Sequence, residues 1–378
     1  MRIAVVHSYY SNRVPSGENV VVDLQAEALR RAGHDVRVVS RHQEEVEKSP
    51  IYPMLTAVRV ATNRGPAPTD EIDHFNPDIV HVHNLFPNFG RSWTARYSSR
   101  LVATIHNYRP ICAAATLLRD GQSCTLCPHR HSAVPALKYG CFKGSRLATL
   151  PMAVGMRFDR DPLLAAAARI ITINDDMRSH YTAVGVPDGK LVTVPNFVPA
   201  AGLPGAHGGD EQGDFWLFVG RISDEKGIVP LVRGWPEGAR LKVVGSGPLE
   251  DVLRRIAPPT VELLGQRPHT EVRALMDAAR GLFFPSIWPE GLPTVYLEAL
   301  AAGLPVVAGP RSIVARLVER DGTGLVMSGS VADDLERADA EFRGQSAHCR
   351  AVYETLYTET AWAAAVQRVY ADVIALAR

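Results

Sequence analysis

Short apolar segments alternate with stretches of helical periodicity along the whole chain, and few folds accommodate that alternation. Parallel strands need a long crossover connection, usually a helix, so strand, helix, strand is the pattern of a parallel sheet. In the first half the pattern predicts strands at Ile3–His7, Val36–Ser40, Ile79–His83, Leu101–Ile105, Ile170–Ile173 and Val192–Val194. The first crossover reads as a helix over Asn19–Ala32, apolar at Val20, Leu24, Ala28 and Leu29 and ended by Gly33. Pro195-Asn196-Phe197-Val198-Pro199 and a Gly- and Pro-rich run to Gly213 then break the pattern as a linker would. A second set of strands follows at Trp216–Val219, Leu241–Val244, Val261–Leu263, Leu282–Phe284, Pro305–Val307 and Gly324–Met327, and a helix over Thr360–Leu376 ends the chain. The expected architecture is α/β, with two doubly wound, Rossmann-like parallel-sheet domains facing a central cleft. Residues 1–198 form the first and 199–359 the second, and a terminal helix over 360–378 packs back on the first. Ligands in such sheets bind beyond the carboxyl ends of the strands.

Composition removes several function classes. Lys and Arg number 41 and Asp and Glu 40, so the net charge of +1 over 378 residues predicts no bulk attraction to nucleic acid or membrane. No apolar run reaches the roughly 18 residues of a spanning helix, and the amino terminus reads as a strand and not a signal peptide. A cytoplasmic setting is expected. The cysteines agree: there are five, an odd number, with four crowded between Cys112 and Cys141. The stretch from Phe86 to Arg100 interleaves Phe86, Phe89, Trp93 and Tyr97 with Arg91, Arg96 and Arg100. Its helical spacing points to a core-facing stripe with a basic edge, in preference to a nucleic-acid or lipid contact.

Glu290 and Glu298 carry the sharpest chemical signal. Pro293 between them suits the first turn of a helix, which leaves Glu290 in the preceding loop and Glu298 inside the helix. The amides of Gly291, Leu292, Pro293's neighbours and Thr294 then surround a positive helix end suited to a diphosphate. Glu290 would reach a sugar beyond the diphosphate, and Glu298 would accept from ribose hydroxyls. Directly after a predicted strand, Gly220-Arg221-Ile222-Ser223-Asp224-Glu225-Lys226-Gly227 offers two cations and close backbone approach. Gly245-Ser246-Gly247-Pro248 follows another strand, but Glu250 stands where a dinucleotide fingerprint needs glycine, and dehydrogenase chemistry is disfavoured. There is no P-loop, no zinc-protease motif and no nucleophile elbow. His106 lies just past the strand Leu101–Ile105, where the expected cleft would be.

Taken in order, these segments resemble glycosyltransferase family 4, of GT-B fold. They are Ser16-Gly17-Glu18, His106-Asn107, Val194-Pro195-Asn196, Gly220-Arg221 with Lys226-Gly227, Gly245-Ser246-Gly247-Pro248, and Glu290 with Glu298. The resemblance implies a retaining transferase that needs no catalytic metal and moves a sugar from a UDP- or GDP-linked donor. It implies donor diphosphate contacts from Arg221, Lys226, Gly17 and the segment from Gly291 to Thr294, and a nucleobase region near Gly245 and Arg267. Glu298 would bind ribose, while Glu290 and His106 would serve at the sugar as catalytic residues. Rival readings are a related epimerase or phosphorylase, a glycosidase using the two carboxylates, and a non-enzymatic sugar- or nucleotide-binding protein. The acceptor is open between a small molecule and a lipid-linked saccharide, with no nucleic acid and no indicated membrane association.

Cys124 and Cys127 have the two-residue spacing of a zinc knuckle, and Cys112 and Cys141 would complete four thiolates. The segment between them shows little apolar period and reads as an irregular insertion over about 108–146. One structural zinc would pin such a loop. Four reduced thiols packed as small apolar side chains are the alternative.

Overall fold

A computed structural model describes residues 1–10, 17–199, 213–288 and 290–377. Ser16 and the expected linker residues 200–212 lie outside the described residues. The chain divides into two compact units. The first comprises Met1–Arg119, Cys124–Asn196 and Trp362–Arg378, and the second Asp120–Ser123 and Phe197–Ala361.

The first unit is built on strands β1 (Arg2–Tyr9), β2 (Asp35–His42), β3 (Ile79–Asn84), β4 (Leu101–Ile105), β5 (Arg169–Thr172) and β6 (Leu191–Thr193). They form one sheet in the order β2-β1-β3-β4-β5-β6, and every pairing is parallel. Ile3, Ala4, Val5 and Val6 of β1 are all buried, as expected of a strand covered on both faces. Helix α1 (Gly17–Arg31) crosses from β1 to β2, and Gly33 follows in the left-handed region with φ 83°. The buried stripe of α1 is Val21, Val22, Gln25, Ala26, Ala28 and Leu29, whereas Val20 is exposed and Leu24 half-buried. The expected stripe of Val20, Leu24, Ala28 and Leu29 is therefore corrected. The helix begins two residues earlier than predicted, and the sheet beneath it fixes its rotation. Two further helices of this unit, α2 (Tyr52–Thr62) and α3 (Arg146–Gly155), pack closely enough that a Cβ on Gly155 would overlap the carbonyl oxygen of Val60.

The second unit has β7 (Trp216–Val219), β8 (Leu241–Val244), β9 (Val261–Gly265), β10 (Leu282–Phe284), β11 (Val306–Ala308) and β12 (Gly324–Val326). They form a parallel sheet in the order β9-β8-β7-β10-β11-β12. The order reverses at β7 and β10, which marks the ligand crevice of a doubly wound sheet. Trp216, Phe283 and Trp235 anchor the core, with ring centroids 5.4 and 5.1 Å apart. Helix α4 (Thr294–Ala301) follows β10. The last helix, α5 (Glu359–Leu376), buries Trp362, Val366, Val369, Tyr370 and Val373, and from Trp362 onward the chain groups with the first unit.

The aromatic stretch after Phe86 forms 3-10 turns over Ser92–Arg100, with Phe89, Trp93 and Tyr97 buried. Its arginines are engaged locally: Arg91 pairs with Asp161, Arg96 with Asp73 at 2.7 Å, and Arg100 donates to the Pro77 carbonyl at 2.9 Å.

Candidate active site

In the second unit the loops after β7 and β10 converge at the strand-order reversal. Gly220 (φ 159°) leaves β7 and Gly227 (φ 67°) ends the short turn Asp224–Lys226. A Cβ on Gly227 would overlap the carbonyl oxygen of Pro285, which follows β10, so only glycine lets the two loops touch. The Lys226 ammonium donates to Glu290 Oε1 at 2.6 Å, and Ser286 Oγ donates to the same oxygen at 2.7 Å. Ser286 Oγ also reaches the Glu225 carbonyl at 3.2 Å, and the Ile287 amide donates to that carbonyl at 3.0 Å. Lys226 and Glu290 expose only 20% and 11% of their side chains, so their attraction is weakly screened. Arg221 is exposed and joins no ion pair among the described residues.

Helix α4 starts at Thr294 with Pro293 as its N-cap residue, one position earlier than the predicted helical first turn, and no side chain caps it. Its first amides are left for a ligand or solvent. Glu298 lies a little over one turn into α4, and its Oε1 is 3.3 Å from His269 Nε2. Gly245, at the end of β8, carries φ 139°, and a Cβ there would overlap the Gly220 carbonyl oxygen. Arg267 is exposed and lies 3.6 Å from Glu271. Thus Lys226, Glu290 and the start of α4 are brought together. Arg267 pairs instead with Glu271, in the first turn of the helix His269–Ala278 that follows it.

In the first unit His106 is not isolated. His83 Nδ1 is 3.0 Å from His106 Nε2, and their rings stack at 5.3 Å. His81 lies 4.2 Å from His83 between ring centroids and is held by Tyr370 Oη and Thr104 Oγ1, each at 2.7 Å. His7 is held by Asn19 Oδ1 at 3.1 Å. Burial first, and neighbouring imidazoles second, depress the His106 pKa to about 3. Burial also takes His81 to about 3 and His7 to about 4, and drives His83 well below its ordinary value. Near neutrality these rings are uncharged hydrogen-bonding groups. Gly17 opens α1, and Glu18 beside it accepts from Asn107 Nδ2 at 3.1 Å while its other carboxyl oxygen is buried without a partner. Burial raises the Glu18 pKa to about 7 against the opposing pull of Asn107 and Arg109. Asn196 accepts from Gln25 Nε2 of α1 at 3.1 Å. Sequence reasoning passed over His83, Ser286 and the carboxyl of Glu18. The signal for His83 was its place at a strand's carboxyl end, the same logic that selected His106.

The cysteine region is a correction. It is not an irregular loop: short helices span Leu126–Arg130 and Val134–Tyr139, the second with Pro135 in its first turn and Gly140 (φ 61°) at its end. Prolines and glycines here start and stop helices. Cys112, Cys124, Cys127 and Cys141 are not joined in disulfides. Burial, and then the neighbouring thiols of Cys112, Cys141 and Cys124, push the Cys127 thiol up to about 11. Among the described residues no group of three or more His, Cys, Asp or Glu side chains is placed to hold a metal ion. The four thiols thus lie near one another, the arrangement common to the zinc reading and to the reading as reduced thiols packed as small apolar side chains.

Two parallel-sheet units, the second with glycine-lined strand ends and a lysine–glutamate pair beside an open helix start, define a protein of the GT-B class. Residues 15–201 match the sequence model of Glycosyltransferase Family 4, and residues 203–352 that of the Glycosyl transferases group 1. The chain belongs to this glycosyltransferase family. It is 24% identical over 347 residues to TuaC of Bacillus subtilis, named for teichuronic acid biosynthesis, covering 81% of this chain and 80% of that one. It is 34% identical over 127 residues to a GDP-mannose-dependent phosphatidylinositol monomannoside mannosyltransferase of Mycobacterium tuberculosis. That match covers 30% of this chain and 32% of the relative, about a third of its length. The fold is shared with Anabaena HepE, solved in complex with UDP, at a TM-score of 0.62 and 14% identity, covering 98% of this chain and 100% of that one.

Proposed function

We propose that this chain transfers a sugar, with retention of anomeric configuration, from a UDP- or GDP-linked donor bound by its second unit to an acceptor bound by its first. The observation that carries the reading is the Lys226–Glu290 pair, braced by Ser286 beside the uncapped start of α4, with Glu298 a turn deeper. A donor laid across that helix start meets Lys226, Arg221 and the segment from Gly291 to Thr294 at its diphosphate. Glu298 takes the ribose hydroxyls and the backbone near Gly245 and Arg267 the base. Glu290 orients the sugar.

The bond between the anomeric carbon and the leaving phosphate oxygen breaks as the acceptor oxygen bonds on the same face. The acceptor's proton passes to the departing diphosphate. Lys226, Arg221 and the helix end stabilise the charge that grows there, the largest single contribution in reactions of this kind. No metal is assigned a catalytic role, since these cations and amides supply the charge. His106, neutral and oriented by His83, binds a sugar hydroxyl. The UDP in the HepE complex and the GDP-mannose of the mycobacterial relative support a nucleotide-sugar donor.

A thermal-shift screen of nucleoside diphosphates and nucleotide sugars tests the donor class, because only a true ligand raises the melting temperature strongly. Product NMR with excess chelator tests the chemistry. A retained anomer is expected; an inverted product, or activity restored by magnesium or manganese, refutes the mechanism.

A further inference from the structure

Helices α2 and α3 of the first unit show apolar faces on the wrong side. On α2 and its cap residue the exposed residues are Ile51 (52%), Met54 (60%), Leu55 (43%) and Val58 (55%), and on α3 they are Leu147 (81%), Leu150 (45%) and Val154 (48%). These positions recur at three, four and seven residues, the spacing that ordinarily turns a helix face toward a core. Here both faces lie in solvent, and the two helices are locked together by the Gly155 approach and by Asn63 Nδ2 donating to the Gly155 carbonyl at 3.0 Å. A rigid pair of helices with outward apolar stripes marks an interaction surface.

Charge identifies the partner. Between residues 48 and 69 the chain carries Lys48, Arg59 and Arg64, and between 121 and 158 it carries Arg130, Lys138, Lys143, Arg146 and Arg157. Neither segment contains an Asp or Glu, although the chain has 40 of them. The net charge of +1 conceals this asymmetry. Lys138, Lys143, Arg146 and Arg157 are exposed and join no ion pair among the described residues. Apolar side chains flanked by unpaired cations fit an anionic bilayer surface, into which such helices sink to the acyl boundary. No helix of the described residues is long and apolar enough to cross a membrane, so the contact is interfacial.

Between α2 and α3 runs a groove of about 630 Å³, walled by Tyr52, Thr56 and Val60 on one side and Leu147, Pro151 and Met152 on the other. Val60, Phe86, Pro87 and Met152 also line a smaller cavity of about 70 Å³ that contains His83, His106, Arg59 and Arg109. The Arg109 guanidinium lies 4.0 Å over the Phe86 ring, and its Nε and Nη1 are buried without hydrogen-bond partners, as is Arg59 Nε. Buried guanidinium donors left open suit a phosphate oxygen.

We propose that the outer face of α2 and α3 seats on an anionic bilayer, and that the groove between them leads a phosphate-bearing lipid acceptor to Arg59, Arg109 and His106. The seating stands on its own; the acceptor role rests on the transfer reading above. The test is flotation of the full chain with phosphatidylcholine vesicles and with vesicles containing 30 mol% phosphatidylglycerol, as roughly a third of the lipid gives an ample anionic surface potential. The wild type is expected to float with the second only and to be released by salt. Val58→Glu with Leu147→Glu should abolish flotation, and Lys143→Glu with Arg146→Glu should weaken it by at least about fivefold per charge removed. All variants should keep their melting temperature and their nucleoside diphosphate affinity, which separates failure of the seating from failure of the donor site. No flotation of the wild type, unchanged flotation of the Val58/Leu147 variant, or self-association through this face in its place overturns the seating. For the acceptor, dodecyl phosphate should stabilise the wild type more than inorganic phosphate or dodecanol does, and Arg109→Leu should remove the difference. Equal stabilisation by inorganic phosphate overturns the lipid assignment.

Discussion

Replacing Lys226 by Met removes the ammonium that is 2.6 Å from Glu290. A charge-assisted hydrogen bond to phosphate is worth about 1.5–3 kcal/mol, which corresponds to about 12- to 150-fold in affinity for a nucleoside diphosphate. The same change strands Glu290, only 11% exposed, with Ser286 as its remaining partner at 2.7 Å. Leaving a buried group short of a partner costs about 1–3 kcal/mol. At about 2–4 °C per kcal/mol for a unit of this size, the melting temperature should fall by about 2–12 °C. The two effects separate in a double variant. Lys226→Met with Glu290→Gln relieves the stranded carboxylate and should recover most of the stability, while nucleotide affinity stays low. Calorimetry measures the affinity and scanning calorimetry the stability. If the double variant regains wild-type affinity, the loss in Lys226→Met came from disturbed folding around Glu290, and Lys226 is not a phosphate ligand.

Glu298→Ala should weaken nucleoside diphosphate binding by about tenfold, the loss of a hydrogen bond to a charged acceptor, while Glu290→Gln leaves that binding near wild type and lowers turnover; identical affinities for the two variants would refute the division of roles. His7 and His81 titrate at about 4 and about 3 in the folded chain, against an unfolded value near 6.5. Below pH 6.5 the unfolded state takes up protons that the folded state refuses, so stability falls as pH falls, by about 2 kcal/mol per ring at pH 5. A melting temperature flat between pH 7 and 5 would refute this. Glu18, raised to about 7, acts oppositely between its ordinary range and 7, where its cost to stability grows with pH, and Glu18→Gln should remove that part of the profile. Gly245→Ala should lower the melting temperature and weaken nucleotide binding together, because its φ of 139° and the Gly220 carbonyl leave no room for a Cβ; a wild-type melting curve would show that the strand ends move apart freely.

The two-sheet architecture was legible in the sequence because it is written in local periods. A buried parallel strand such as Ile3–Val6 is an apolar run, and Gly33 ends a helix wherever that helix lies. The loop position of Glu290 and the helical position of Glu298 were legible for the same reason, since proline and helix start are short-range geometry; that Lys226, 64 residues away, meets Glu290 was not. What lay between distant segments was not. The rotation of α1 depends on the sheet beneath it, which is why Val20 is exposed and Val21 buried. The histidines at 7, 81, 83 and 106 are spread over a hundred residues of sequence, and only the parallel register of β1, β3 and β4 stacks them into one neutral array that fixes His106. Composition alone gave a nearly neutral chain; the fold sorts that charge by place, bringing two acid-free segments together on α2 and α3. Sequence determined which residues could do chemistry, because bond types and helix ends are local properties. Tertiary structure decided which of them meet, because burial and contact between remote segments exist only once the sheet has formed.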